Sequence, residues 1–216
     1  MSGAEKRQTG TIKRGRPPEH GLADRRRQQL VSCAAEVFAE RGYERTTVTM
    51  LARRAGVGQG TVYRYFDSKR DLFDSVFDHA TEHLFASMDT TVLLEPIDSV
   101  QEFLSTVTRL GDDMFALMNA ATPYLKLILV EAVAVDEEMT RRVGGVQQIV
   151  MSIIATALEQ GKDRGWVRRE VDTELVSVAM AALALPAMLR GLQGKTAPSR
   201  NSGALVLLAR GVAVRR

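Results

Sequence analysis

The stretch 46–66 constrains the fold of this chain more than any other part of the sequence. Apolar residues recur at helical spacing from Val48 to Ala55, and the threonines before them can cap the first turn with a hydroxyl. Gly56 follows directly, at the point where a chain leaves a helix through a positive φ. The pattern therefore predicts a short helix that ends in a tight glycine turn.

A second short helix is predicted after this turn, from about Gly58 to Tyr65, with Val62 and Phe66 facing inward. Its other side carries polar and aromatic groups, namely Gln59, Thr61, Tyr63, Arg64 and Tyr65. Two helices joined by a glycine turn, the second able to reach base edges in the major groove, are typical of a helix-turn-helix. A helical hairpin inside a core is the alternative, although core helices rarely concentrate polar side chains in this way.

Neighbouring segments extend this pattern. They are AEVFAERGY at 35–43, TTV at 46–48, ARRAGV at 52–57 and GTVYRYFDSK at 60–69, followed by Leu72. Together, over about 25–84, they resemble the DNA-binding domain of the TetR (tetracycline-repressor-like) family of bacterial transcription regulators. Two positions depart from the usual family pattern. Gly58 replaces serine or another capping residue and weakens the start of the second helix, while Arg70 replaces glutamate and adds positive charge.

The resemblance implies an all-α fold, with an N-terminal three-helix helix-turn-helix domain and a larger C-terminal helical domain. In that family the second domain binds a small molecule in its interior and dimerises through its last two helices, which by chain order would be 172–192 and 201–214. The implied function is that of a ligand-responsive transcriptional regulator, most often a repressor, which binds a palindromic DNA operator as a homodimer and is released by a small effector. The chain is therefore expected to divide into a basic arm at 1–24, a DNA-binding domain at 25–84, and an effector-binding and dimerisation domain at 85–216.

DNA contacts follow from the match with the family and from the polar side of the second helix. The residues expected to face bases or phosphates are Arg25, Arg45, Thr47, Thr49, Gln59, Gly60, Thr61, Tyr63, Arg64, Tyr65 and Lys69. Three consecutive arginines, at 25–27, lie near the predicted start of the first helix at about Asp24, where the helix dipole disfavours cations. A DNA phosphate would relieve that cost, and a solvated run of charge is the alternative.

Charge is distributed as a DNA-binding protein requires. The whole chain has a net charge of +3, but residues 1–75 hold 15 basic and 9 acidic residues, whereas residues 76–216 hold 14 and 17. The two parts therefore carry net charges of +6 and −3. Because the basic part contains the helix-turn-helix, we do not expect the acidic part to bind a polyanion.

Residues 1–24 show no hydrophobic period and are rich in glycine, proline and basic residues, so we predict a disordered basic arm. Within it, the motif formed by Arg14, Gly15, Arg16 and Pro17 resembles the core of the AT-hook, which reads the minor groove. Arginines match the negative potential of narrow A·T tracts. A tail that binds DNA only through its charge is the open alternative.

Helical periodicity continues through the rest of the chain. Ser68 is expected to cap a long fourth helix that leaves the DNA-binding domain and enters the second one. After a break near 90–96, the predicted helices start at Asp98 or Ser99, at Tyr124 (to about Val135), at Asp136 (to Lys162), at Asp172 (to about Leu192) and at Asn201 (to Val214). No segment alternates over enough residues to predict a strand.

The interior of the second domain is expected to hold the effector. Candidate lining residues are Phe85, Met88, Phe103, Val107, Leu110, Met114, Met118, Tyr124, Ile128, Glu131, Ile149, Val150 and Ile153. An interior rich in methionine and phenylalanine adapts to hydrophobic ligands, although the same residues would also describe a solid core. Glu131, the one charge in a mostly apolar stretch, either orients a cation or hydroxyl of the effector or faces solvent.

His79 and His83 fall in the pattern His-x-x-Glu-His, in which two imidazoles one helical turn apart can share a metal ion. We do not expect a metal site, since the motif lies on the helix that links the two domains. The sequence contains neither a nucleophile elbow nor a phosphate-binding glycine loop, so no motif in it favours an enzyme. No cofactor is expected.

Cys33, the single cysteine, is expected to be a buried structural thiol. The N-terminus lacks an apolar signal region, and the apolar uncharged run 175–189 is shorter than the roughly 20 residues that span a bilayer. We therefore expect a cytoplasmic protein with no membrane partner. Two other classes stay open: a DNA-binding protein without an effector, and a helical carrier or enzyme that reuses the fold.

Overall fold

The computed structural model describes residues 20–87, 95–119, 123–192, 207–208 and 210–214. Its helices are α1 His20–Arg41, α2 Val48–Arg54, α3 Gln59–Tyr63, α4 Lys69–Ala86, α5 Val100–Asn119, α6 Pro123–Lys126, α7 Glu137–Asp163 and α8 Thr173–Leu192. Within these ranges β-type pairing is limited to an isolated antiparallel bridge between Val167 and Ala213, in agreement with the all-α prediction. None of the described helices combines the length and apolar character needed to cross a membrane.

Helix α1 begins at His20, earlier than the predicted start at about Asp24, so the last residues of the predicted arm (1–24) are helical. Residues 21–29 lie on the surface, and exposed turns show no hydrophobic period from which a helix start can be predicted. The helix ends, as predicted, at Gly42, whose φ of +82° favours glycine. The rest of the arm, with its AT-hook-like motif, lies outside the described residues.

A first hydrophobic cluster joins helices α1–α4 to the beginning of the second domain. Phe38 on α1 and Phe73 on α4 meet edge to face in it, with ring centroids 5.0 Å apart. Burial of a side chain of this size contributes about 1.5–3 kcal/mol. The segment after α6 and the first turns of α7 complete the cluster through Leu127, Ile128, Ala132, Met139 and Val143. One continuous core therefore connects α4 to both α1 and α7.

The segment predicted as one helix from Tyr124 to about Val135 contains three kinds of helical turn. After α6 come π-helical turns at Leu127–Glu131 and a 3₁₀ turn at Ala132–Ala134. The amide of Ala132 bonds the carbonyl oxygen of Leu127, five residues earlier, and both residues are fully buried. Local periodicity could not predict the widened turns, because they depend on packing against α1 and α4.

A second hydrophobic cluster fills the space between α5, the end of α7 and α8. Trp166 lies in it, and its indole Nε1 donates to the carbonyl oxygen of Ile97 at 2.8 Å, which satisfies a buried N–H group. Gly161 on α7 permits this packing, since a Cβ at that position would lie 2.6 Å from the indole ring.

Three of the helix starts predicted in the second half agree with the structure. Ser99 caps α5, Asp136 caps α7 and Asp172 caps α8, and each accepts a hydrogen bond from a backbone amide three residues later. The predicted last helix, 201–214, lies largely outside the described residues. Its described part is helical at 207–208 and 210–212 and ends where Ala213 pairs with the turn after α7.

Candidate nucleic-acid interface

Helix α3, the second helix of the predicted helix-turn-helix, is shorter than expected. It runs from Gln59 to Tyr63, whereas the sequence predicts about Gly58 to Tyr65. Gly58 precedes it in an extended conformation and offers no side chain to cap the first amides. Arg64 and Tyr65 continue as a turn, because a short helix that starts without a cap has little tendency to extend.

Two buried side chains hold α3 against the rest of the protein. Val62 and Phe66, each 2% exposed, face the first hydrophobic cluster as predicted. Arg27 on α1 covers the Phe66 ring at 4.9 Å from its centroid and donates from Nη2 to Ser75 Oγ at 2.7 Å. These contacts fix the opposite side of α3 toward solvent, where a DNA groove can receive it.

The two threonines before α2 have different roles. The Thr47 hydroxyl oxygen accepts a hydrogen bond from the Met50 amide at 3.3 Å, which leaves its proton available for a phosphate oxygen. Thr46 is 1% exposed, and its hydroxyl donates to the Gly42 carbonyl oxygen at 2.7 Å. Thr46 therefore fixes the turn between α1 and α2, while a contact of Thr47 with DNA stays a prediction that its geometry permits.

Six of the residues predicted to contact DNA form an exposed to half-exposed surface, which we call the reading surface: Thr49, Gln59, Gly60, Thr61, Tyr63 and Arg64. Gln59 donates from its side-chain Nε2 to Thr49 Oγ1, so α2 and α3 present connected polar groups. Tyr63 is 53% exposed, and no described atom would lie within 4 Å of a Cβ on Gly60. The surface is therefore open enough for DNA to approach the backbone of α3.

Tyr65 supports Arg64. The Arg64 guanidinium lies 5.2 Å from the centroid of the Tyr65 ring, and its Nη2 lies 3.5 Å from the tyrosine hydroxyl. A cation–π contact at an exposed site contributes about 0.5–1 kcal/mol. It also orients a guanidinium whose fork of N–H groups suits a guanine edge or a phosphate.

The sequence predicts that three further cationic side chains bind DNA phosphates. Lys69, in the first turn of α4, donates from Nζ to the Tyr43 carbonyl oxygen at 2.9 Å. Arg45 donates from Nε to the Arg41 carbonyl oxygen at 3.0 Å, and Arg25 is exposed on α1. Lys69 and Arg45 each retain further N–H groups, so contact with phosphate stays a prediction that their geometry permits.

The run of arginines at 25–27 needs a correction. Because α1 begins at His20, these residues lie in its second turn, where the helix dipole acts less strongly than at the first amides. The predicted electrostatic cost is therefore smaller. Arg26 donates to Gln29, and Arg27 is held by Ser75, so Arg25 is the member of the run that we retain as a phosphate contact.

Arg54, at the end of α2, has a structural role. Its Nη2 lies 2.8 Å from Glu36 and 3.3 Å from Glu40 on α1, and the hydrogen bond that it donates to Glu36 raises the pKa of the guanidinium. Cys33 lies beside this group and is half-buried, rather than buried as predicted. Burial, with a smaller effect of the Glu36 charge, raises the pKa of the Cys33 thiol, which keeps it protonated and weakly nucleophilic.

The structure does not gather the described members of the predicted effector site into one pocket. Phe103, Val107 and Ile153 belong to the second hydrophobic cluster, whereas Ile128 and Tyr124 belong to the first. Phe85 is half-buried near the end of α4. Met88 lies outside the described residues, and the structure does not describe the side chains of Leu110, Met114 and Met118.

Three of these residues have surroundings that the sequence does not predict. Ile149 and Val150 are 50% and 39% exposed, because the middle of α7 is left uncovered by the described part of the chain. The Glu131 side chain is 16% exposed and lies 3.8 Å from Lys126 Nζ, so it does not face solvent. Its Oε2 instead approaches Gly42, at 3.1 Å from where a Cβ would stand, beneath the end of α1.

His79 and His83 both pack against Tyr124, with ring centroids 5.3 and 4.8 Å away. His79 Nε2 and the Tyr124 hydroxyl are 3.1 Å apart, which links α4 to α6. Among the described residues, no group of three or more histidine, cysteine or carboxylate side chains is arranged to hold a metal ion. The pair is thus part of the contact between the two domains.

Known proteins are similar to this chain in both sequence and fold. The family model "Bacterial regulatory proteins, tetR family" matches residues 30–76. The nucleoid occlusion factor SlmA of Pasteurella multocida is 34% identical over 36% of this chain, and the match spans 39% of that protein. The probable HTH-type transcriptional regulator ArpR of Pseudomonas putida is 28% identical over 74% of this chain and 77% of its own length.

Solved structures extend the similarity to the whole fold. A TetR transcriptional regulator from Chloroflexus aurantiacus superposes with a TM-score of 0.73 at 22% identity, covering 88% of this chain and 96% of that one. AibR in complex with isovaleryl coenzyme A and operator DNA gives 0.64 at 16% identity, with 84% and 96% covered. FadR from Bacillus subtilis in complex with stearoyl-CoA gives 0.68 at 20% identity, also with 84% and 96% covered. With the helix-turn-helix geometry and the family match in agreement, the segment 30–76 is a DNA-binding domain of the tetR family of bacterial regulatory proteins, and the chain as a whole shares the fold of TetR regulators.

Proposed function

We propose that the protein is a repressor that binds a palindromic DNA operator as a homodimer in the cytoplasm and is released by a small hydrophobic effector. The observation that carries this proposal is the reading surface. Val62 and Phe66 anchor α3 in the core, and Gln59, Tyr63 and Arg64 stand exposed on its other side. Exposed donors and acceptors on a firmly anchored short helix suit base edges in the major groove.

In this proposal the DNA contacts divide by chemistry. Gln59, Thr61, Tyr63 and Arg64 face base edges, since their side chains carry the donors and acceptors that distinguish base pairs. Arg25, Arg45, Thr47 and Lys69 bind phosphates, which fixes the register of α3 in the groove without reading sequence.

Dimerisation is supported by exposed apolar side chains on α8. Leu175, Val178 and Leu183 are 65%, 48% and 44% exposed, although each is a residue that would normally be buried. A second copy of the chain would cover them. A dimer with two-fold symmetry would present two α3 helices to half-sites about 34–36 Å apart, one turn of DNA.

Effector binding is supported by a gap in the burial of α7. One apolar stripe of this helix is buried at Val143 and again at Ala157, at 3% and 1% exposure. Between them Val146 and Ile153 are half-buried and Val150 is 39% exposed. A hydrophobic ligand that covers the middle of this stripe would gain about 25 cal/mol for each Å² that it removes from water.

Acyl-CoA thioesters are the effector class that we would test first. AibR and FadR, which share the fold, were solved with isovaleryl coenzyme A and stearoyl-CoA. An acyl chain would supply the apolar surface that the middle of α7 lacks. The charged part of such a ligand would have to remain near the surface.

The test begins by selecting genomic fragments that the purified protein retains at physiological salt, and by footprinting them. We expect a two-fold symmetric footprint and its loss when acyl-CoA thioesters of increasing chain length are added. Val150→Asp should abolish release while leaving the footprint, since it places a charge in the apolar stripe. An asymmetric footprint would argue against the dimer, and a footprint that no thioester or free fatty acid disturbs would argue against this effector class.

A further inference from the structure

Helices α4 and α7 carry charged side chains of opposite sign that face one another. On α4 these are Arg70, Asp74 and Asp78, spaced four residues apart and therefore on one side of the helix. Their partners are Asp136, which caps α7, and Arg142, two turns into it. This set of five residues, which we call the α4–α7 clasp, connects the DNA-binding domain to the second domain.

Arg70 is the member nearest the DNA-binding end. Its Nε lies 2.7 Å from Asp136 Oδ2 and its Nη2 donates to Oδ1 at 3.3 Å, so the guanidinium holds the carboxylate with two hydrogen bonds. Its Nη1 bonds Asp74 on its own helix. Asp136 Oδ1 also accepts the Met139 amide at 2.7 Å, so the same carboxylate starts α7. A contact from Arg70 therefore reaches the backbone of α7.

Arg142 repeats the connection one turn further along. Its Nη1 lies 2.7 Å from Asp74 Oδ1, its Nη2 bonds Asp78, and its guanidinium covers the Phe77 ring at 4.7 Å. Asp74 is thus shared by two arginines. The side chains of Arg70 and Arg142 are 24% and 29% exposed, so these pairs are screened less than pairs at the open surface.

The first turn of α4 is joined to the helix-turn-helix as firmly as to α7. Lys69, next to Arg70, bonds the Tyr43 carbonyl, and Leu72 and Phe73 lie in the same core as Val62. If the start of α7 moves and Arg70 moves with it, the start of α4 moves too, and α3 moves with α4 because they share a core. The exposed middle of α7, near Val150, is roughly 21 Å along the same helix from Asp136.

We propose that Arg70 and Asp136 are positioning residues that set the distance between the two α3 helices of the dimer. The inference rests on the function proposed above. In this account α7 transmits changes at its middle directly to the base of the helix-turn-helix through the clasp. Packing at the C-terminal end of α4 then provides a second connection between the two domains. Arginine is required because its planar fork binds both carboxylate oxygens, which a lysine cannot do.

The test measures which half-site spacing the protein prefers. A selected operator is rebuilt with its half-sites moved closer or further apart in steps of one base pair, and affinities are measured for wild type, Arg70→Gln and Asp136→Asn. Asparagine still caps a helix, so Asp136→Asn removes the charge and keeps the start of α7. Arg141→Gln is the matched control, because Arg141 pairs only with Glu137 on its own helix in the described structure.

We expect wild type and Arg141→Gln to prefer one spacing, and both clasp variants to lose at least about fivefold of that preference, a change of about 1 kcal/mol. The double variant should lose no more than Arg70→Gln alone, since Arg70→Gln already removes the contact with Asp136. An equal loss of affinity at every spacing, or an unchanged spacing profile, would overturn the inference. If wild type binds no fragment at all, the proposed function itself fails, and that outcome is distinguishable from the others.

Discussion

Lys69 and Tyr43 hold one another across the space between α4 and the end of α1. The ammonium lies 4.0 Å from the centroid of the tyrosine ring while it donates to the backbone carbonyl of the same residue at 2.9 Å. The contact fixes a cation at the start of α4, where free amides and the helix dipole already favour a phosphate. Lys69 therefore both packs the start of α4 against α1 and places a positive charge beside the helix-turn-helix.

Lys69→Gln should weaken binding to every DNA sequence by a similar factor. One phosphate contact fewer should reduce the slope of log affinity against log salt by about one. Fluorescence anisotropy over a salt series measures this slope. Lys162→Gln, on α7 beside Glu159, is the control that should leave the slope unchanged; if both variants keep the wild-type slope, Lys69 does not bind phosphate.

Gln59→Ala should relax the preference at one base pair of each half-site. A bidentate contact to a base contributes about 1–3 kcal/mol of discrimination, so the preferred base should lose roughly fivefold or more of its advantage. Thr49→Val should cause a smaller relaxation at the same base pair, since it removes the bond that orients the Gln59 amide. Operators substituted at each position reveal the pattern. Relaxation at different base pairs in the two variants would show that Thr49 does not act through Gln59.

Gly161→Ala should destabilise the fold by about 1–3 kcal/mol, since the added Cβ would stand 2.6 Å from both Trp166 and Val167. Gly145→Ala, on the exposed side of the same helix, should instead stabilise it by about 0.5–1 kcal/mol, because alanine favours a helix and no described atom lies within 4 Å of the new Cβ. Urea denaturation measures both changes. Equal effects of the two substitutions would contradict the close packing of Trp166 against α7.

Asp136 should make stability depend on pH in the acid range. The hydrogen bond from Arg70, followed by that from the Met139 amide, holds the pKa of this carboxyl below its ordinary value of 3.8. Because the folded pKa is the lower one, the contribution is complete above the ordinary pKa and is lost as pH falls through the folded pKa. The stability difference between wild type and Asp136→Asn should therefore be constant from about pH 8 to pH 5 and shrink below about pH 4. A difference that persists undiminished in acid would contradict the ionic contact.

Local chemistry is what made much of this fold predictable. Ser99, Asp136 and Asp172 cap helices because a side chain and an amide three residues away suffice. Val62 and Phe66 are buried because they stand on one side of a short helix. The reading surface followed from the same pattern and from the family resemblance.

What could not be predicted depends on partners distant in the chain. Arg70 departs from the family pattern, which signals a special role, but its partner Asp136 lies 66 positions away. Glu131 turns toward Gly42 because the π-helical turns direct it beneath α1. Val150 has the spacing of a core residue, yet it is exposed because the described elements do not cover the middle of α7.

The central claim is that the reading surface recognises a specific DNA sequence. It is tested most directly by the ratio of affinities for a selected operator and for a scrambled duplex of the same length, at physiological salt. We expect a ratio of about 10³ or more for wild type, as for other specific DNA-binding proteins, and a ratio near one for Gln59→Ala combined with Arg64→Ala. A wild-type ratio near one, or a double variant that keeps the full ratio, would contradict the account.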